Sequence, residues 1–267
     1  MTTKTHPRGT TAKATATSKA TATYTAAALA AGLLLTGCSF GSLVARGGHE
    51  KTASADATVV EAVTAVDVSD AGSGSIEVVA GSGPGVTVRR TVHYRGDTVP
   101  QPAQRISGGV LTLTNGECSG RCSVDYRLEV PASATVRAGS SSGSVTVAGV
   151  AAADVTTSSG PVRAERIAGP LKVRTSSGSI AAEELAGPGA DARSESGDVR
   201  LAFAKAPASV AVRTGSGDAK VKVPAAPYAL DVSTTSGERE ITVPADPSAT
   251  ARLAVLTSSG DIVVSAA

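Results

Sequence analysis

Leu171-Lys172-Val173-Arg174-Thr175-Ser176-Ser177-Gly178-Ser179-Ile180 is the stretch that decides the fold. Apolar and polar side chains alternate from Leu171 to Thr175, a Ser-Gly pair follows, and an apolar residue returns at Ile180. Alternation with period two marks a strand with one buried face, and Ser-Gly is turn chemistry. The phrase recurs at Ser73-Gly74-Ser75-Ile76, Ser142-Gly143-Ser144-Val145, Ser159-Gly160-Pro161-Val162, Ser196-Gly197-Asp198-Val199, Ser216-Gly217-Asp218-Ala219, Ser236-Gly237-Glu238-Arg239-Glu240-Ile241 and Ser259-Gly260-Asp261-Ile262. The Ser236 copy reads as out of phase by one apolar position. From Gly143 onward the glycines lie 17, 18, 19, 20, 20 and 23 residues apart.

Each unit is therefore strand, Ser-Gly turn, strand, loop. Many loops carry proline, as at Pro170, Pro188, Pro207 and Pro227, and Val130-Pro131, Val223-Pro224 and Val243-Pro244 mark strand exits, where a missing N–H does least harm. A unit of ~20 residues cannot bury its own apolar face, so units must stack. Composition agrees: aromatics are 2% of the 267 residues, with no Trp and 29 Gly, so the core must be built from Val, Ala, Ile and Leu. Small β-branched side chains suit a narrow interior. The expected fold is all-β, a single-domain β-solenoid of 17–23-residue repeats, with a β-sandwich as the alternative.

Residues 136–267 carry the regular repeats. Residues 58–135 are less regular, with strands expected at Val86–Tyr94, Val110–Asn115 and Val124–Glu129. The 69 residues between Gly74 and Gly143 read as long insertions with a capping role at the start of the same domain. The last strand, Ile262–Ser265, is expected to leave an open end that could dock a partner or a second copy.

Residues 1–37 read as a signal peptide. Lys4, Arg8, Lys13 and Lys19 precede the first acidic residue, Glu50, and an apolar run extends from about Ala26 to Leu35. That run is well short of the ~20 residues a membrane span requires. It ends in Leu35-Thr36-Gly37-Cys38, the pattern of a bacterial lipobox, which makes Cys38 the expected lipid attachment site. Residues 38–57 read as a flexible tether. Loss of residues 1–37 turns a net charge of +2 into −2, which argues against nucleic acid as a partner. The expected location is the extracytoplasmic face of the cell membrane.

Cys118 and Cys122, in Cys-Ser-Gly-Arg-Cys, read as a local structural disulfide of an exported chain. A zinc site needs about four ligands, and the mature chain adds only His49 and His93. No metal or other cofactor is expected.

The repeat phrases Thr175–Ile180 and Ser258–Ile262, with Cys122-Ser-Val-Asp-Tyr-Arg-Leu-Glu-Val-Pro131 leading into the first regular turn, resemble the DUF4097 family of candidate adhesins with toastrack-type strand repeats. The resemblance covers roughly Thr58 to Ala267. It implies a place in the cell envelope, with adhesion or envelope-stress sensing as roles, and it supplies no catalytic residues.

Other constellations have plain structural readings. Gly139-Ser140-Ser141-Ser142-Gly143 matches G-x-S-x-G, but that elbow needs a strand-turn-helix setting and a histidine partner. Asp198, Asp218 and Asp261 could line up for calcium, although turn-stabilising aspartates fit better. Arg163, Arg166, Lys172, Arg174, Arg193 and Arg200 alternate with Glu165, Glu183, Glu184 and Glu195, either as a stripe for acidic glycans or lipid headgroups or as a mixed solvated face. Thr157, Thr175 and Thr234 form a hydroxyl ladder that turn chemistry explains without a ligand. A polysaccharide lyase would need aromatic sugar platforms, and the mature chain has few aromatics, with Tyr94, Tyr126 and Tyr228 its only tyrosines. The chain therefore reads as a non-enzymatic envelope lipoprotein that binds an envelope protein or glycan. An accessory envelope-stress sensor and a structural spacer are the alternatives.

Overall fold

The computed structural model describes residues 50–267, apart from 117 and 119–121. Cys38 and the stretch read as a signal peptide, residues 1–37, lie outside the described residues. The strands in chain order are β1 (Lys51–Val59), β2 (Ala65–Asp70), β3 (Ile76–Gly81), β4 (Val86–Tyr94), β5 (Ala103–Ser107), β6 (Val110–Thr114) and β7 (Cys122–Pro131). The regular units follow as β8 (Thr135–Ser140) with β9 (Val145–Ala148), β10 (Ala152–Thr157) with β11 (Val162–Glu165), and β12 (Leu171–Thr175) with β13 (Ile180–Leu185). The remaining pairs are β14 (Gly189–Ser196) with β15 (Val199–Phe203), β16 (Ser209–Ser216) with β17 (Ala219–Val223), β18 (Ala229–Ser236) with β19 (Arg239–Ile241), and β20 (Arg252–Ser259) with β21 (Ile262–Ala266).

Each Ser-Gly turn hands the chain from one sheet to the other. Like strands of successive units pair in parallel, so the units wind as a β-solenoid rather than a sandwich of hairpins. The spatial order is β5-β6-β2-β8-β10-β12-β14-β16-β20-β18 in one sheet. In the other it is β1-β4-β7-β3-β9-β11-β13-β15-β17-β21-β19.

Inward positions line up in columns. In the first sheet Val136, Ala153, Leu171, Ala190, Val210 and Leu253 are in register, and Ala138, Val155, Val173, Ala192, Val212 and Val255 form a second column. All are buried. Small and medium aliphatic side chains, Ala, Val and Leu, fill both columns, as a narrow interior requires.

Both ends depart from sequence order. The β2–β3 unit stacks directly on β8–β9, with Ile76 opposite Val145. The intervening chain folds outward as the antiparallel strands β4, β7, β5 and β6. The insertion therefore caps the stack, and the three strands expected from the sequence in this region are β4, β6 and β7. Strand β1 pairs along its length with β4, so the stretch read as tether is an edge strand from Lys51 onward.

The C-terminal end corrects two expectations. Strand β21 is interior, paired with β17 on one side and β19 on the other; the open edges belong to β18 and β19. The Ser236 copy is in phase: Arg239 pairs in register with Ile262 and Ile241 with Val264. A charged residue therefore stands where every other rung has an apolar one. The return segment after β19 crosses the start of β18, where Tyr228 accepts a hydrogen bond from the Asp246 N–H (2.9 Å) and donates to the Pro244 carbonyl (3.1 Å).

Candidate functional site

The turns fix what the faces can display. Three residues before each glycine from Gly143 onward stands a hydroxyl, and Ser140, Thr157, Thr175, Ser194, Thr214 and Thr257 are buried. Thr157 Oγ1 donates to the Gly160 carbonyl at 2.9 Å, and Thr175 Oγ1 accepts from the Gly178 N–H at 2.9 Å. Ser194, Thr214, Thr257 and Thr234 donate to Gly178, Gly197, Gly217 and Gly260 carbonyls at 3.0–3.2 Å. The hydroxyl ladder is therefore turned inward and satisfies turn backbone, as turn chemistry predicts.

The aspartates also hold turns, but those of the next rung rather than their own. Asp198 accepts the Asp218 N–H (3.0 Å), Asp218 the Asp261 N–H (3.0 Å), and Asp261 the Glu238 N–H (2.9 Å). The backbone hydrogen bond from Asp218 holds the Asp198 carboxyl below its ordinary range; burial opposes this and Arg200 reinforces it. A carboxyl whose folded pKa is depressed stabilises the fold above its unfolded pKa, and that stability is lost as pH falls through the folded value. Asp198→Asn is accordingly expected to cost under about 1 kcal/mol near neutral pH. The difference from the parent should vanish between about pH 5 and pH 2 in denaturant titrations. A constant difference over that range would refute the assignment.

The solvent face of the first sheet carries the unusual feature. Its outer rank reads Arg137, Asp154, Lys172, Asp191 across β8, β10, β12 and β14, with signs alternating from rung to rung. The adjacent rank, four residues before each turn glycine, reads Gly139, Thr156, Arg174, Arg193, Arg213, Leu256 across β8, β10, β12, β14, β16 and β20. Three arginines thus occupy consecutive rungs, ~4.8 Å apart. Arg193 forks onto Asp191 (Nε–Oδ1 2.9 Å, Nη2–Oδ2 3.1 Å), and Arg174 reaches the same carboxylate only at 4.0 Å. Arg213 has no ion pair among the described residues. Like charges side by side cost a few tenths of a kcal/mol, so sheet stability does not explain this rank.

A shallow trough follows it. One section, of about 320 Å³, is lined by Arg137, Gly139, Ser141, Thr156 and Arg174 among others. The next, of about 570 Å³, runs from Thr156 and Arg174 past Arg193, Glu195 and Arg213 to Gly215. Glu195 is the only carboxylate lining this second section.

The charged stripe expected from the sequence is divided. Lys172, Arg174, Arg193 and Glu195 lie on this sheet, whereas Arg163, Glu165, Glu183 and Arg200 lie on β11, β13 and β15 of the opposite one, with Arg166 just past β11 and Glu184 in β13. Sequence reading missed Arg137 and Arg213. Alignment of the repeats on their glycines would have found Arg213, which stands at the same offset as Arg174 and Arg193.

Ser141 of the G-x-S-x-G match sits in the turn between β8 and β9. His93 is engaged elsewhere, between Asp125 (Nε2–Oδ2 2.9 Å) and Glu50 (Nδ1–Oε1 3.4 Å). Cys118 and Cys122 form a disulfide, Cα–Cα 5.5 Å, between β6 and β7. Among the described residues no group of three His, Cys, Asp or Glu side chains comes together as a metal set.

Two mixed sheets whose repeat strands pair in parallel wind as one solenoid, capped at one end and bearing an open charged flank, and define a β-solenoid that displays repeated surface positions. The pattern of the Toastrack DUF4097 family matches residues 110–265, and the chain belongs to that family. In fold it is similar to a candidate adhesin from Bacteroides fragilis, with 12% identity and a TM-score of 0.50 over 82% of this chain and 99% of that one. A candidate adhesin from Parabacteroides distasonis aligns at 11% identity with a TM-score of 0.45, over 81% of this chain and 98% of that one. No curated protein matches the chain.

Proposed function

We propose that this protein is a non-enzymatic cell-envelope lipoprotein, held to the outer face of the membrane through lipid on Cys38, whose solenoid flank binds an envelope macromolecule in the manner of an adhesin. The observation that carries the reading is the in-register rank Arg174, Arg193, Arg213 in an open trough. A repeated cationic position on a flat sheet suits an extended partner better than an enclosed small molecule, which favours deep apolar clefts. The buried hydroxyls and the turn aspartates are already engaged in structure, whereas the arginine rank presents guanidinium groups to an open trough.

The test has two parts. Cys38→Ala is expected to move the protein from the membrane fraction to the soluble one after cell fractionation; unchanged membrane association would sink the lipid anchor. Cross-linking of the tagged protein in intact cells should then recover envelope glycan or a surface macromolecule. Reproducible capture of a membrane signalling protein alone would replace the binding-module reading with that of a sensor.

A further inference from the structure

We propose that the trough over β10, β12, β14 and β16 binds a linear acidic polysaccharide, with Arg174, Arg193 and Arg213 each taking a carboxylate of successive sugar residues. The inference rests on the macromolecule-binding reading and specifies its ligand.

The spacing of the arginines matches a polymer. The three arginines stand on adjacent rungs in unbroken parallel register, so their bases repeat every ~4.8 Å along the stack. That repeat is close to the length of one extended pyranose residue, so a polymer with one acid group per sugar meets one guanidinium per rung. Arginine is the side chain that pairs with planar carboxylates through two parallel hydrogen bonds.

The rank is also short of carboxylates. One carboxylate, Asp191, serves both Arg174 and Arg193, and Arg213 is free of ion pairs among the described residues. The rank therefore has guanidinium capacity left over, most of it at Arg213. The opposite sheet does not repeat this: in its comparable rank Ala181 separates Arg163 from Arg200 and Lys220, and Arg200 is engaged by Asp198 (2.8 Å).

Shape and lining select among anions. A membrane surface would have to cover both ranks at once, Asp154 and Asp191 included, whereas a single chain can lie along the arginine rank with only Asp154 and Glu195 among the carboxylates lining the trough. Single-stranded nucleic acid is held largely by stacking on aromatic side chains, and no aromatic residue lines either section of the trough. An isolated phosphate would engage one rung and leave the others unmatched. A narrow rank flanked by hydroxyls, such as Thr156 and Ser176, fits a glycan chain laid along the stack.

The purified full-length protein in non-ionic detergent is titrated with polygalacturonate, with neutral dextran as control. Parent protein should bind polygalacturonate with an affinity that weakens as salt is added. Arg193→Gln/Arg213→Gln should weaken binding about tenfold or more, in line with loss of charge-assisted hydrogen bonds. Arg163→Gln/Arg200→Gln, on the opposite sheet, should leave it within about twofold. Asp191→Asn, which releases Arg174 and Arg193, should tighten it. All variants are compared at matched thermal stability, so loss of binding is not loss of fold.

Equal affinity of parent and Arg193→Gln/Arg213→Gln would overturn the inference and leave the binding-module reading standing. Tighter binding of single-stranded DNA or phosphatidylglycerol vesicles, lost in the same variant, would overturn the polysaccharide assignment alone. No binding to polygalacturonate or to the insoluble envelope fraction would remove both.

Discussion

Gly160→Ala is expected to destabilise the solenoid by about 3 kcal/mol or more, an effect at the upper end for a single methyl group. In a domain of this size that corresponds to a fall in melting temperature of roughly 6–12 °C. The reason is the way the turns stack. A Cβ on Gly160 would sit well inside 3.0 Å of the Gly143 carbonyl oxygen of the rung below. The same holds up the column: Gly178 against Gly160, Gly197 against Gly178, Gly217 against Gly197, Gly260 against Gly217 and Gly237 against Gly260. The obstacle is backbone, which cannot rotate away, and moving it would break the ladder on both sides. Gly83→Ala is the matched control, because a Cβ there meets nothing within 4 Å. It should be neutral or slightly stabilising through the unfolded chain. Calorimetric scans of the two variants decide the matter; a similar small shift for both would mean that the glycine column is not a steric requirement.

That column explains why so much of the fold was legible in the sequence. The spacing of the glycines reports the rung length, and the alternation on either side reports the two sheets, because a repeat must place equivalent residues in equivalent surroundings. The physical cause was only half visible: glycine is needed at Gly143, Gly160 and Gly178 for close approach along the stack rather than for a special turn angle. What the sequence concealed was order at the ends. Insertion of β20–β21 between β16–β17 and β18–β19 leaves no local trace, since parallel neighbours with the same alternation are interchangeable on paper. The β2–β3 unit found its place on β8–β9 for the same reason, across an insertion whose length hid the join. The charged stripe failed because residues close in sequence, such as Arg163 and Lys172, lie on opposite sheets once the turn intervenes. The candidate site became visible only when residues one repeat apart were compared, as Arg174, Arg193 and Arg213 are in register.

Arg239→Val is expected to drive end-to-end association of two copies while leaving the solenoid folded. Strands β18 and β19 form the last rung, so their outer backbone groups face no further strand, apart from the single bridge between Tyr228 and Ala245. The inward side chains of this rung are incompletely covered: Leu230 and Val232 are half-buried and Ile241 is 41% exposed. Such an edge invites pairing with another chain unless something blunts it, and an inward-pointing charge is one of the ways proteins do so. Arg239 stands at the position occupied by Ile262 and Ala219 in the rungs beneath, and its Nη1 donates to the Val232 carbonyl at 3.1 Å. Valine would restore the apolar column up to the open face and leave that carbonyl unpaired. Both changes favour burial against a second copy. The opposite end of the stack carries antiparallel strands and a different edge, so a head-to-tail fibre is not matched in register. Two C-terminal ends related by a two-fold axis form a closed contact instead. Sedimentation equilibrium should therefore show self-association of Arg239→Val beyond that of the parent, and Arg239→Lys, which keeps the charge, should match the parent. A strictly monomeric valine variant would mean that the return segment across Tyr228, and not Arg239, is what closes the stack.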